Sequence, residues 1–440
     1  MKILRLLFIV LLLTNGLIYS RSDAGPDTLL TDGTLSNCIQ YAMQHQPQIQ
    51  QTLLDEQITN KEIDSKLADW YPQINFNFNI QHNYQLPVSI VQGNISQVGL
   101  MNTSAGQFSV TQNIFNRDAL LASSTAGDVT KQAKELTIND KISVIVNVSK
   151  AYYSVLLAQD QIDLLNEDII RLEQNSKDTY SQYKSGVVDK TDYMRASISL
   201  NNALAEKEQD TGLLKVSMAQ LKGLMGYPPA EDLKLDYDRS KMENDVLTDT
   251  TQKVIYENRI EYQILQTQYN LQSANLKYYE WSFIPSVYAF GEYNFNFQND
   301  QLSNLYNKNY PNSYIGIGLS LPIFEGGKRF QEIDQADLEL KRFKYNFEDL
   351  KESINTEYTQ AIANYKSDLN NYNVQKNNLE LAKEVYNIIQ LQYKSGVKTY
   401  LDVITAETDL RTTQVNFITA LYRVLSSKLD VEKALGTIKY

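Results

Sequence analysis

The residues that usually carry catalysis are scarce in this chain. It has two histidines, His45 and His82, and one cysteine, Cys38. Zinc needs a set of such ligands, and a side-chain nucleophile needs a base beside it, so neither is expected. Gly326-Gly327-Lys328 lacks both the upstream glycine spacing of a phosphate-binding loop and its following Ser or Thr. No G-x-S-x-G elbow occurs. Carboxylates are plentiful but scattered along amphipathic stretches, which marks a solvated face. No catalytic residue, metal or cofactor is expected. A formal charge of −11 also argues against nucleic acid, which calls for basic patches.

One acid-bearing pattern does stand out, because it is written twice. Gln182-Tyr183-Lys184-Ser185-Gly186-Val187 recurs as Gln392-Tyr393-Lys394-Ser395-Gly396-Val397, and Asp192 falls on Asp402 at the same offset. Leu221 to Gly226 falls on Val431 to Gly436, Asn113-Ile114-Phe115 on Pro322-Ile323-Phe324, and Trp70-Tyr71-Pro72 on the stretch from Trp281 to Pro285. The order of these matches makes the chain a duplication of a unit of about 200 residues. The expected organisation is a segment 1–22, then repeat one over about 34–230 and repeat two over about 245–440. In the plainest reading, Asp192 and Asp402 are first-turn acids favoured by a helix dipole.

The elements around these turns follow from where breakers are missing. No proline occurs between Val88 and Tyr227 or after Pro322. Such stretches predict helices from Asn116 to Tyr183 and from Lys328 to Tyr393, each about 100 Å long. Ile162, Leu165, Ile169 and Leu172 step by the heptad pattern, as do Leu379, Ala382, Tyr386, Ile389 and Tyr393, so helix packs on helix. Shorter helices are expected over Leu35–Asp69 and about Lys190–Leu224, with a matching pair in the second copy. Between the helices, Gln73 to Gln81 alternates amide and apolar residues without error, a strand with two unlike faces. Gln107–Thr111, Tyr293–Gln298 and Ile315–Leu321 alternate as well. Four strands of about ten residues, apolar outward and amide inward, fit the wall of a transmembrane barrel.

Four strands cannot close a barrel, and an open edge in lipid leaves backbone groups unpaired. Closure must come from further copies. Two copies give eight strands, whose interior side chains largely fill; three give twelve and a passage, so a homotrimer is expected.

Composition agrees. Mean hydropathy of −0.39 and 21% charged residues exclude a bundle of transmembrane helices, while 42% hydrophobic residues support a large core. Thirty tyrosines against 18 glycines and 9 prolines would be unusual for an enzyme. Lys2 and Arg5 before the apolar run Leu6–Leu13 predict a secretory signal peptide. Cys38 is expected to be a buried helix cysteine, too far past that run to be lipidated.

These motifs together resemble the TolC-like outer membrane efflux proteins, from about Thr34 to Gly436. The resemblance rests on Leu35 to Ala42, Trp70-Tyr71-Pro72-Gln73-Ile74, Gly226 to Pro229, Leu319 to Gly327, the duplicated Tyr-x-x-Gly turn and the closing Ala434-Leu435-Gly436. It implies an α+β membrane protein whose trimer carries a twelve-stranded outer membrane barrel on a twelve-helix periplasmic tunnel. It implies a passive exit duct, working with a periplasmic adaptor and an inner membrane RND or ABC transporter. By motif it assigns the periplasmic gate to Tyr393, Lys398 and Asp402, with Asp192 as the first-copy partner. The helix turns Tyr183, Gly186, Val187, Gly396 and Val397 become the adaptor contact. The second pore acid of the family falls on Thr405, so the expected ring is a single one of three Asp402 carboxylates, able to attract cations. The competing reading is a non-transporting structural coiled-coil protein of the envelope, which would have no need of lipid-facing Ile and Phe.

Overall fold

The computed structural model describes residues 30–91 and 94–439. The expected signal segment 1–22 lies outside the described residues. Two helices dominate. The first long helix, α3 (Arg117–Lys184), has 68 residues, and its partner α7 (Lys328–Lys394) has 67. Asn116 starts α3 by accepting the backbone N–H groups of Asp118 and Ala119 at 2.8 and 3.2 Å. Each long helix is followed by a 36-residue helix, α4 (Lys190–Met225) and α8 (Tyr400–Leu435).

The helix expected over Leu35–Asp69 is two helices. These are α1 (Leu35–His45) and α2 (Pro47–Leu67), with Gln46 extended between them. Pro47 has no N–H to give to α1 and restricts the residue before it, so it ends one helix and opens the next. The second copy departs further. A short α5 (Arg239–Asn244) precedes α6 (Ile260–Glu280), and residues 245–255 between them are irregular.

Four strands form one antiparallel sheet in the order β1 (Gln73–His82), β4 (Asn102–Phe115), β5 (Ser286–Asn299), β6 (Asn312–Ser320). An unexpected two-stranded ribbon, β2 (Val88–Val91) with β3 (Asn94–Gln97), fills the β1–β4 connection. All four alternating segments read from the sequence lie in the large sheet or run one residue past it. Both members of the sheet's outer pair, β1 and β6, keep one edge without a partner strand among the described residues.

The helices follow the same order. Next to the sheet α6 lies between α3 and α7, and farther along α8 takes that place, while α2 and α4 flank α3 on its other side. The expected seam Ile162, Leu165, Ile169 and Leu172 is buried. The main core sits at mid-length, where Cys38, Tyr41, Val148, Tyr152, Leu156, Tyr365, Leu421 and Leu425 pack together. Cys38 is fully buried there, and burial pushes its thiol up to about 12. Asp160 is also wholly buried at this level, held by Tyr237 and Tyr422 at 2.7 and 2.8 Å and by Arg239. Among the described residues no helix is long and apolar enough to cross a membrane.

Candidate functional site

Both long helices end in the same way. Gly186 takes φ +77° and Gly396 +76°. The N–H of Val187 reaches Gln182 O at 2.8 Å, and that of Val397 reaches Gln392 O at 2.9 Å. Inside each turn, Gly186 donates to Tyr183 O and Gly396 to Tyr393 O. This paired bonding is a Schellman cap, whose left-handed position favours glycine. It leaves Val187 and Val397 at the extreme tip, each 72% exposed.

The two turns lie side by side and enclose a cleft of about 690 Å³ lined by Asp178, Gln182, Asp192, Tyr393, Lys398 and Tyr400. Three of the four expected gate residues thus share one cleft. Tyr393 donates its hydroxyl hydrogen to Gln182 Oε1 at 3.2 Å, tying α7 to α3. Its ring centroid lies 5.9 Å from that of Tyr400, whose phenol burial pushes up to about 12. Tyr183 faces the other way and stacks on Tyr193 of α4 with rings 6.4 Å apart.

Asp402 is bound differently from Asp192. Its Oδ2 accepts the Thr399 N–H at 2.9 Å and the Thr399 hydroxyl at 2.8 Å, while Thr399 Oγ1 accepts the Asp402 N–H. This reciprocal capping box holds the carboxyl below its ordinary range, chiefly through the Thr399 N–H, and Lys398 adds to it from 3.8 Å. In the first copy Asp189 stands where Thr399 does, and no side chain caps α4 at Asp189. The first-turn reading of Asp402 is therefore realised in the single chain, which is compatible with a carboxylate presented at an opening.

At the other end, strand register sets which residues share a face. Gln73, Thr111, Phe290 and Gly316 are successive partners across the sheet, as are Asn75, Ser109, Glu292 and Tyr314. The face expected to carry only amides therefore also carries Tyr288, Phe290, Tyr314 and the acid Glu292. Tyr314 donates to Glu292 Oε2 at 2.5 Å. The rings of Phe290 and Tyr288 lie over Gly316 and Gly318 of β6, so close that a Cβ at Gly316 would come within 2.8 Å of Phe290. The aromatics occupy the space that the glycines leave, which alternation within one strand could not reveal. The opposite face exposes Ile74, Phe76, Phe78, Ile80, Ile315, Ile317 and Leu319.

The chain thus sets an open four-stranded sheet, one face apolar and the other bearing amides, Glu292 and tyrosines, on paired long helices. The family model for outer membrane efflux protein matches residues 38–227 and 263–437, one segment in each copy. The chain belongs to that family. It is 21% identical over 428 residues to the outer membrane protein TolC of Vibrio cholerae, covering 92% of this chain and 93% of that one. It is likewise 21% identical to the outer membrane protein OprJ of Pseudomonas aeruginosa, over 96% of this chain and 89% of the other. The fold matches the outer membrane channel CmeC of Campylobacter jejuni, with a TM-score of 0.72 at 16% identity over 92% and 85% of the two chains. It also matches CusC, with a TM-score of 0.74 at 17% identity over 95% of each. This outer membrane efflux protein is thus an outer membrane protein of a channel family.

Four residues of the tip escaped the sequence reading. Gln182 lay inside the duplicated hexapeptide, and Thr399 opened a Thr-x-x-Asp signature that could have been read as a cap. Tyr193 and Tyr400 carried no local signal, because their roles arise only when the neighbouring helices meet.

Proposed function

We propose that three copies of this chain form a passive exit duct across the outer membrane and the periplasm. An inner membrane pump, RND or ABC, supplies the energy through a periplasmic adaptor. The observation that carries this reading is the sheet with unpaired edges at β1 and β6 and an exposed apolar face, which lipid tolerates only in a closed barrel. Twelve strands then surround a lumen lined by amides, Glu292 and tyrosines, wide enough for solutes of many kinds. The names of the relatives agree, since they include an alkaline protease secretion protein and antibiotic efflux components.

At the tip, Asp402, Lys398, Tyr393 and Asp192 act as the periplasmic gate. Tyr183, Gly186, Val187, Gly396 and Val397 offer the adaptor its contact. Three Asp402 carboxylates drawn together around the axis would bind cations. Purified protein in detergent should have the mass of three protomers and conduct in planar bilayers. Asp402→Ala should relieve cation block, and Lys398→Ala should raise resting conductance. Recovery as a monomer from the soluble periplasm would favour the structural coiled-coil reading instead. Unchanged block and conductance in both variants would remove the gate assignment alone.

A further inference from the structure

The contact between the two repeats inside one chain can be carried over to the contact between two chains. Equivalent residues in the two copies are fixed first. Pro72 corresponds to Pro285, so Gln73 corresponds to Ser286; Asn113-Ile114-Phe115 corresponds to Pro322-Ile323-Phe324, so Thr111 corresponds to Ser320. The structure tests this assignment. The first hairpin pairs Gln73 with Thr111, and the second pairs Ser286 with Ser320, which are the same two positions. The duplication therefore preserves register to the residue.

Between the repeats, β4 pairs with β5, placing Thr111 opposite Phe290, Gln107 opposite Asn294 and Phe115 opposite Val287. The residues equivalent to these are Ser320 and Asn77, Gly316 and Gln81, Phe324 and Ile74. All six lie on the two edge strands or their continuation, and Ser320, Gly316, Asn77 and Gln81 share one face. Phe324 and Ile74 are now 88% and 69% exposed, whereas their counterparts Phe115 and Val287 are half-buried against each other's strands.

The helices make an independent case. Across the contact of α3 with α8, Arg171 meets Glu407 at 3.5 Å, Lys150 meets Asp430 at 2.6 Å, and Tyr422 donates to Asp160. At the equivalent positions α7 carries Leu381, Gln360 and Asn370, and α4 carries Ser197, Gln220 and Gly212. Every charge is gone, and its partner is gone with it. Losing one member alone would strand a charge on burial, whereas losing both is tolerated. Matched replacement is what two helices that still face each other require. Leu381, Val385 and Ile388 of α7 and Met194 and Ile198 of α4 are exposed in the single chain, as apolar faces awaiting cover would be.

We infer that the second-repeat edge of one copy docks on the first-repeat edge of the next in the register of the internal interface. Ser320 pairs with Asn77 of the next copy, Gly316 with Gln81 and Phe324 with Ile74. Helix α7 packs on the next copy's α2 and α4 as α3 packs on α6 and α8. This rests on the trimeric duct and adds the residue-by-residue contact to it. The occupant of the open edge is a second copy of this chain in one fixed register.

Cysteine pairs placed in a Cys38→Ser background of the full chain, oxidised in isolated outer membranes, test it. Ser320→Cys with Asn77→Cys should give covalent dimers and trimers on non-reducing gels, on the order of tenfold more than Ser320→Cys with Asn75→Cys or Asn79→Cys. A slip of two residues adds about 7 Å and takes the Cα atoms beyond disulfide reach. Leu381→Arg should dissolve the detergent-stable oligomer, and adding Ser197→Glu should restore it by rebuilding the internal ion pair. Equal or better linkage to Asn75 or Asn79, or no linkage while the detergent mass stays trimeric, would overturn the register. So would failure of Ser197→Glu to rescue. A monomeric mass in detergent would instead sink the trimer itself.

Discussion

Four glycines end helices in this protein with almost the same geometry, yet the two pairs live in different surroundings. Gly186 and Gly396 cap the long helices at the tip, and Gly226 and Gly436 cap α4 and α8 at mid-length, all with φ between +69° and +77°. At the tip a side chain would meet nothing within 4 Å. At mid-length a Cβ on Gly226 would lie 2.5 Å from His45 O, and one on Gly436 2.8 Å from Asn258 O. One motif therefore serves as a free-standing turn at one level and as a close backbone docking point at the other. At mid-length the turn glycines are wedged against neighbouring backbone, while at the tip they are open to solvent and only side chains such as Tyr393 and Gln182 tie the helices together. The gate proposed for the tip would sit where the structure resists least.

Four substitutions press on that contrast, starting from the largest effect. Asp160→Ala removes a wholly buried carboxylate and leaves Arg239 and two tyrosines without their acceptor, which should cost about 3–5 kcal/mol. Replacing the exposed tip residue Lys398 by alanine should leave the melting temperature nearly unchanged. Gly436→Ala combines a backbone clash with a left-handed φ and should destabilise well beyond the roughly 1–2 kcal/mol that left-handedness alone imposes on Gly396→Ala. Equal losses at the two glycines, read by thermal unfolding, would erase the distinction between the levels.

A subtler effect is a difference of sign with pH. Burial raises the Glu407 carboxyl above its ordinary 4.5, against the pull of Arg171. The folded chain then holds this proton more firmly than the unfolded chain, so its contribution is most favourable below pH 4.5 and declines as pH rises through the folded value. Asp402, held below its ordinary 3.8 by Thr399, contributes above that pH and is lost as pH falls through its folded value. Glu407→Gln should flatten the melting profile above pH 4.5, and Asp402→Asn should flatten it below 3.8. The opposite pattern would mean that burial does not govern Glu407.

Much of this was legible in sequence because it is periodic or repeated. The Gln73–Gln81 alternation, the proline-free runs and the duplicated Gly186 and Gly396 turns each state local geometry through residue type. The break at Gln46 was also written, as a residue before proline, but the apolar pattern on both sides hid it. The mixed character of the amide-bearing sheet face was not visible, because Phe290 and Gly316 reveal their complementarity only once paired. The Asp160 site unites residues from α3, the 226–238 connection, the start of α5 and α8, so no local pattern could announce it. At the tip, the resemblance pointed to Tyr393, Lys398 and Asp402, and geometry added the partners Gln182 and Thr399.

The unpaired edges of β1 and β6 also bear on how the protein is made. A lone chain pushed into lipid would carry two rows of peptide groups that hydrocarbon cannot satisfy, at several kcal/mol for each orphan. In the proposed duct, insertion of one chain and its encounter with others would be a single kinetic event. Biogenesis would then be higher than first order in chain concentration, and surplus single chains would have no stable resting place in the bilayer.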